Sequence, residues 1–152
     1  MDACVLDSPV GRLAIHAQGD AITLLERTTL PLLPPSSPLL REAATALARY
    51  FSGELRCFSL PLRAKGTPFQ QAVWSLLLEI PYGETRTYGD LARALGKPGA
   101  SRAVGMANHR NPISILIPCH RVIGADGSLT GYGGGLDMKR FLLTLEGAHF
   151  KG

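Results

Sequence analysis

The chain has 152 residues, 45% of them hydrophobic and 18% charged, with a net charge of +4. This is enough for one average domain or two small ones around a real core, and it excludes a disordered, fibrous or collagen-like protein. No apolar run of about 18 residues and no charged-then-apolar leader is present, so neither a membrane span nor a signal peptide is expected and the protein is read as cytoplasmic.

Residues 4–6, 12–17 and 21–26 are short, partly alternating segments punctuated by Ser8-Pro9 and Gly19-Asp20, which predicts a small antiparallel meander. Residues 31–38 hold four prolines and two serines and must be a loop. From 39 to 51 the apolar positions Leu40, Ala43, Ala44, Leu47 and Phe51 recur at helical spacing, with Gly53 as the stop. This front portion, residues 1–62, has no polar cluster that points to chemistry and reads as a supporting α/β domain, with Cys4 and Cys57 as packing residues. Three widely spaced cysteines make no disulfide framework, and no C-x-x-C suggests zinc, so no metal and no cofactor is expected.

Residues 60–66 read as a linker, and residues 67–150 as the second domain. Thr67-Pro68 opens a helix as cap and first-turn proline, with the stripe Phe69, Val73, Trp74, Leu77 and Leu78 facing a core that includes Trp74. Thr87 and Asp90 form a capping box with Asp in place of Glu, ahead of a short helix burying Leu91, Ala94 and Leu95. Gly96 and Pro98 close it, and a second helix runs from Gly99 or Ala100 to about Asn108. Two short helices over 87–109 joined by a tight glycine turn predict a helix-turn-helix. The second helix is slim, built from Ala100, Ser101, Ala103, Gly105 and Ala107, with Arg102 as its long cation. It suits either a narrow DNA groove or close helix packing.

Charge placement favours the groove. Residues 86–121 hold six basic side chains (Arg86, Arg93, Lys97, Arg102, Arg110, Arg121) against Asp90, a local +5 that leaves −1 for the remainder. Such a window is built to meet a polyanion. Inside it the apolar run from Ile115 ends at Pro118-Cys119-His120-Arg121. Pro118 sets the exit angle of the chain, and a thiol beside a histidine and an arginine is a candidate nucleophile, the alternative being a small core cysteine. Downstream, residues 124–127 are a turn, and the glycines of Thr130-Gly131-Tyr132-Gly133-Gly134-Gly135 call for positive φ or close approach of a ligand. A last helix over 137–146 is expected to turn Phe141, Leu142 and Leu145 inward.

The motif Pro118-Cys119-His120-Arg121-Val122, preceded by Asn111-Pro112 and followed by Tyr132-Gly133-Gly134-Gly135-Leu136, resembles the O6-alkylguanine-DNA alkyltransferases. The likeness spans about residues 67–147, with weaker echoes in residues 6–11 and 50–53 of the front domain. It implies an α+β fold: a ribonuclease H-like N-terminal sheet and helix, then a mainly helical, winged-helix-like domain carrying the helix-turn-helix. It also implies a single-turnover repair protein that binds duplex DNA through the minor groove, flips the O6-alkylguanine out and keeps the alkyl group on Cys119. O4-alkylthymine is a second candidate lesion. By that likeness His120 is the base, working through a water, and Glu146 orients it; Arg102 fills the gap left by the flipped base, with Ser101 and Ala103 beside it on the DNA. Tyr88 crowds the flipped nucleotide's phosphate, Tyr132 donates to the guanine, Asn111 ties the recognition-helix region to the cysteine turn, and Arg121 is structural or phosphate-facing. A monomer is expected, with cooperative assembly on DNA left open. The competing expectation is a non-catalytic lesion sensor or helix-turn-helix regulator; a cysteine hydrolase is disfavoured because adjacent Cys and His side chains do not face each other.

Overall fold

The computed structural model describes residues 2–132 and 135–152, so Gly133 and Gly134 of the glycine-rich stretch lie outside the described residues. The chain divides into two compact units, Met1–Lys65 and Gly66–Gly152. Among the described residues no helix is long and apolar enough to cross a membrane.

In the first unit β1 (Asp2–Leu6), β2 (Leu13–Gln18) and β3 (Ala21–Arg27) form an antiparallel meander in the order β1-β2-β3. Cys4 lies opposite Ile15 and Ile15 opposite Leu25, all three fully buried, so the pairing register puts one apolar face inward. A bulge at His16/Ala17 sets Ala17 opposite Ile22 and leaves Thr23 without a partner in the ladder. Helix α1 (Pro38–Phe51) begins where Ser37 accepts from the Leu40 amide at 3.2 Å, and it buries Leu40, Ala43, Leu47 and Tyr50. Tyr50 takes the core position expected of Phe51, which is half-buried. Each fully buried Leu contributes roughly 1.5–3 kcal/mol, so this stripe outweighs the modest helix propensity of the segment. Cys57 is exposed, contrary to the packing role expected of it, because it follows α1 in a stretch with no regular structure; Cys4 is fully buried.

In the second unit Thr67 and Gln70 exchange both bonds of a capping box at the start of α2 (Pro68–Leu77). The buried Trp74 of α2 donates from Nε1 to the Ala107 carbonyl at 2.9 Å, a fixed tie to the helix that ends at His109. A Cβ on Gly66 would lie 2.4 Å from the Trp74 ring, so only glycine fits there. Leu78, expected on the buried stripe, is exposed, since α2 ends at Leu77 and the chain turns before Ile80 re-enters the core.

The strand β4 (Arg86–Thr87) runs straight into α3 (Tyr88–Ala94), whose first turn is closed by the reciprocal Thr87–Asp90 capping box. After a turn through Gly96, whose φ of 72° needs glycine, α4 (Ser101–His109) completes the helix-turn-helix. Helix α3 buries Leu91 and Ala92; Ala94 is exposed because the helix is seven residues long and its buried face rotates toward Ala92. β4 pairs in parallel with β5 (Val122–Ile123), Arg86 opposite Val122 and Thr87 opposite Ile123. The residue that caps the helix-turn-helix is thereby clamped beside the residues that follow the cysteine turn. Helix α5 (Leu136–Leu145) buries Met138, Lys139, Leu142 and Leu143. Phe141, expected to face inward, is exposed and Leu145 half-buried, because the inward face is set by positions 138, 139, 142 and 143. The fold is α+β, with the sheet in the first unit and a mainly helical second unit.

Candidate active site and DNA-facing surface

The apolar run before the cysteine is not a strand. Ile115 has φ of 71° and is buried, and the Leu116 amide donates to the Ser114 carbonyl at 2.8 Å, closing a strained three-residue turn. A second three-residue turn follows, this one of the unstrained inverse kind: Pro118 has φ −80° and ψ 65°, and the Cys119 amide donates to the Ile117 carbonyl at 2.8 Å. A β-branched residue at positive φ costs on the order of 1–3 kcal/mol and persists only when its surroundings over-determine it. Here Asn111 does so. Its side-chain amide donates to the Ile117 carbonyl at 2.8 Å, and its oxygen accepts from the Ile113 amide at 3.0 Å. From α4 itself, the buried Asn108 amide donates to the Cys119 carbonyl at 3.3 Å.

These bonds deliver Cys119, His120 and Arg121 on one turn of 3-10 helix, all three buried. His120 Nε2 lies 2.8 Å from Glu146 Oε2, and both side chains are wholly shielded from solvent. A carboxylate only accepts, so Nε2 carries the proton and Nδ1 holds the lone pair. His120 Nδ1 has no protein partner among the described residues. Arg121 donates from Nε to Glu146 Oε1 at 2.8 Å, from Nη2 to Oε2 at 3.1 Å and from Nη1 to the Ile80 carbonyl at 2.6 Å. Its guanidinium is therefore buried and turned to Glu146, and its charge is unavailable to phosphate.

Burial pushes the Cys119 thiol up, against the opposing pull of Asn111, Tyr132 and the Lys139 charge. Burial pushes His120 down; the Glu146 contact opposes this, while the Arg121 and Lys139 charges reinforce it. At rest the turn thus holds a protonated thiol at Cys119 and a neutral imidazole at His120. Lys139 is fully buried on α5, donating from Nζ to the Val122 carbonyl at 2.6 Å and the Thr130 carbonyl at 2.9 Å. Desolvation holds its ammonium down to about 8, with the facing Cys119 pulling the other way.

Tyr88, the first residue of α3, accepts at its hydroxyl from Thr130 Oγ1 at 2.8 Å. Its phenol is raised by burial, lowered by Thr130 and raised again by Cys119. Tyr132 is buried on the same side as the thiol it influences. On α4, Arg102 and Ala103 are exposed and Ser101 is half-buried, so Tyr88, Cys119 and Tyr132 form one group and Ser101, Arg102 and Ala103 another, on the outer face of the second helix. Two cations of the basic window are paired locally, Arg86 with Glu84 at 3.2 Å and Arg93 with Asp90 at 2.6 Å, while Lys97, Arg102 and Arg110 are exposed.

The family model of the 6-O-methylguanine DNA methyltransferase DNA-binding domain matches residues 68–148, and that of the family's ribonuclease-like domain matches residues 4–64. The chain belongs to this methyltransferase family. A methylated-DNA–protein-cysteine methyltransferase of Mycobacterium leprae is 51% identical over 147 residues, covering 93% of this chain and 89% of that protein. The protein of the same name from Methanosarcina acetivorans is 63% identical over 108 residues, covering 71% of this chain and 69% of that one. Among solved structures, Mycobacterium tuberculosis OGT in complex with DNA superposes with a TM-score of 0.90 at 48% identity, covering 97% of this chain and 93% of that one.

Two residues of this methyltransferase's site were not legible in the sequence. Lys139 sits on an amphipathic helix where a lysine ordinarily points outward, and only the two carbonyls that receive it explain its burial. Asn108 falls at the end of a helix read as a slim groove-binder, and its bond to the Cys119 carbonyl is a contact 11 residues away. The Arg121–Glu146 pair joins two residues 25 apart, and no spacing rule reaches that far.

Proposed function

We propose that the protein repairs alkylated DNA by moving a methyl or other alkyl group from O6 of guanine in duplex DNA to Sγ of its own Cys119. The S–C bond forms as the C–O6 bond breaks, and the electron pair of that bond returns to the purine. The thiol proton passes through a water to His120 Nδ1, and the imidazolium then gives one proton up, by way of water, to the departing guanine, so charge and atoms balance. Glu146 stabilises the imidazolium that appears in between. Lys139 favours the developing thiolate, and Tyr132 donates to the leaving base as negative charge grows on it. A thioether has no low-energy route back to the thiol, so each molecule acts once.

The observation that carries this reading is a buried thiol on the same 3-10 turn as an imidazole whose Nε2 is committed to a carboxylate and whose Nδ1 has no partner among the described residues. The DNA-facing roles rest on the exposure of Arg102 and Ala103 on α4 and on Tyr88 being half-buried and under the influence of Cys119. In this reading the protein enters the minor groove, Arg102 takes the space of the flipped nucleotide, Ser101 and Ala103 lie along the strand, Tyr88 turns the phosphate, and Asn111 holds the cysteine turn in register. Unstacking costs a few kcal/mol and is least for a weakly paired base, which selects lesions before any hydrogen bond is read. O4-alkylthymine fits the same chemistry as a secondary substrate.

Incubating the protein with a duplex containing O6-methylguanine should add one methyl mass to the peptide that holds Cys119 and leave unmodified guanine in the DNA. Cys119→Ser should abolish the mass gain while retaining lesion binding. Lesion binding by the unmodified protein without any mass gain would overturn the reading in favour of a non-catalytic sensor.

A further inference from the structure

We infer that Arg121 is a positioning residue for the methyl transfer: by occupying both oxygens of Glu146 it keeps His120 neutral, in the Nε2–H form, with its Nδ1 lone pair free to take the thiol proton. This rests on the reading of His120 as the base. Glu146 is the C-cap residue of α5, where the negative end of the helix dipole disfavours a carboxylate. It is also buried, so an ionised Glu146 needs a permanent cation. Two groups compete for that role. If the imidazole were the only partner, the pair would hold one proton more, as imidazolium and carboxylate or as imidazole and acid, and neither form has a free base at Nδ1 together with a fixed acceptor at Nε2. Arg121 removes the competition because its guanidinium stays charged at every working pH. All three of its nitrogens donate, two to Glu146 and one to the Ile80 carbonyl, a fork a lysine cannot reproduce. The Tyr82 ring centroid lies 5.9 Å from the guanidinium carbon.

The charged groups acting on His120 are Glu146 and Lys139 from the α5 region and Arg121 from its own turn. The carboxylate pulls the imidazole toward its charged form and the two cations push it toward the neutral one. Lys139 is committed to the Val122 and Thr130 carbonyls, so Arg121 alone acts through the atoms that hold the ring.

The test is the pH profile of single-turnover transfer from O6-methylguanine duplex DNA, read by the mass of the Cys119 peptide, over about pH 5.5 to 9 for the unmodified protein, Arg121→Met, Arg121→Lys and His120→Gln. Each profile is normalised to its own plateau, so a smaller active fraction does not move its midpoint. Arg121→Met should move the acid limb to higher pH by about 1–3 units, and Arg121→Lys by less, since it removes a neighbouring like charge and leaves the Glu146 carboxylate uncompensated beside the imidazole. A lower plateau with an unmoved limb in Arg121→Met would show a merely structural role and overturn the inference, while loss of the limb in His120→Gln would leave the base assignment standing. A His120→Gln profile identical to that of the unmodified protein would sink the base assignment and this inference with it. Should Arg121→Met fail to fold, imidazole 15N shifts of the unmodified protein decide: a neutral Nε2–H ring across about pH 6 to 8 supports the inference, and an imidazolium or an Nδ1–H ring there overturns it.

Discussion

Lys139→Met replaces a fully buried ammonium with an apolar side chain of similar length, and the structure sets the size of the effect through pH. Lys139 titrates at about 8 in the folded chain against 10.5 in an unfolded one. Between those two values the unfolded chain binds more protons than the folded one at this site, so the contribution of Lys139 makes stability rise with pH across the window. At 1.36 kcal/mol per unit, a gap of about 2.5 units is worth about 3 kcal/mol. The lost bonds to the Val122 and Thr130 carbonyls cost roughly 1–3 kcal/mol each at every pH, and so offset the two curves without tilting them. Cys119 and Tyr88, both raised in the folded state, tilt stability the opposite way; Tyr88 does so equally in both proteins, and Cys119 more steeply in the variant, which lacks the Lys139 charge that lowers it, so this adds to the difference in the same direction. The informative quantity is therefore the difference in unfolding free energy between the two proteins, from urea titrations at several values between about pH 7 and 10.5. It should change by about 3 kcal/mol in favour of the unmodified protein as pH rises, most of it above pH 8. Curves that stay parallel throughout would mean that Lys139 titrates like an exposed lysine, and the electrostatic account of the site would fail with it.

Glu146→Gln should destabilise the fold by about 3–5 kcal/mol, because it leaves the buried Arg121 guanidinium without its carboxylate; a urea midpoint close to that of the unmodified protein would contradict this. DNA affinity should fall with salt at a slope of about −3 in log–log form, because Lys97, Arg102 and Arg110 are exposed while Arg86 and Arg93 are paired and Arg121 is buried. A flat dependence would show that the basic window is not the footprint, and a slope of about −5 that the paired arginines are released on binding. Arg102→Ala should slow repair of duplex DNA by far more than transfer from free O6-methylguanine base, measured as single-turnover rates; equal losses would contradict a role in eversion.

Local rules made the helix-turn-helix legible. Thr87 with Asp90, Gly96 and the small residues of α4 each carry short-range information, and the capping box formed as read. The meander was legible for the same reason. Faces of short helices were harder: Leu78, Ala94 and Phe141 have apolar side chains at plausible helical spacing, yet a helix of seven or ten residues can rotate by one position without losing that pattern. The cysteine turn was read correctly as a fixed exit after Pro118, but the positive φ of Ile115 was invisible, since a β-branched residue in an apolar run reads as strand. Its conformation comes from Asn111, whose oxygen and amide reach the backbone on both sides of it. The buried charges were least legible of all, because Arg121 meets Glu146, and Lys139 meets the Val122 and Thr130 carbonyls, only in three dimensions.

The three sulfurs differ in access: Cys4 is sealed, Cys119 is buried and Cys57 is open to solvent. Thiol-specific dyes will therefore tag Cys57 first, and a count of fast-labelling sulfhydryls monitors the wrong atom. In a Cys57→Ser background that early signal disappears. The pace of the remaining labelling then becomes a stopwatch for how often the two buried sulfurs, Cys4 and Cys119, are opened to solvent.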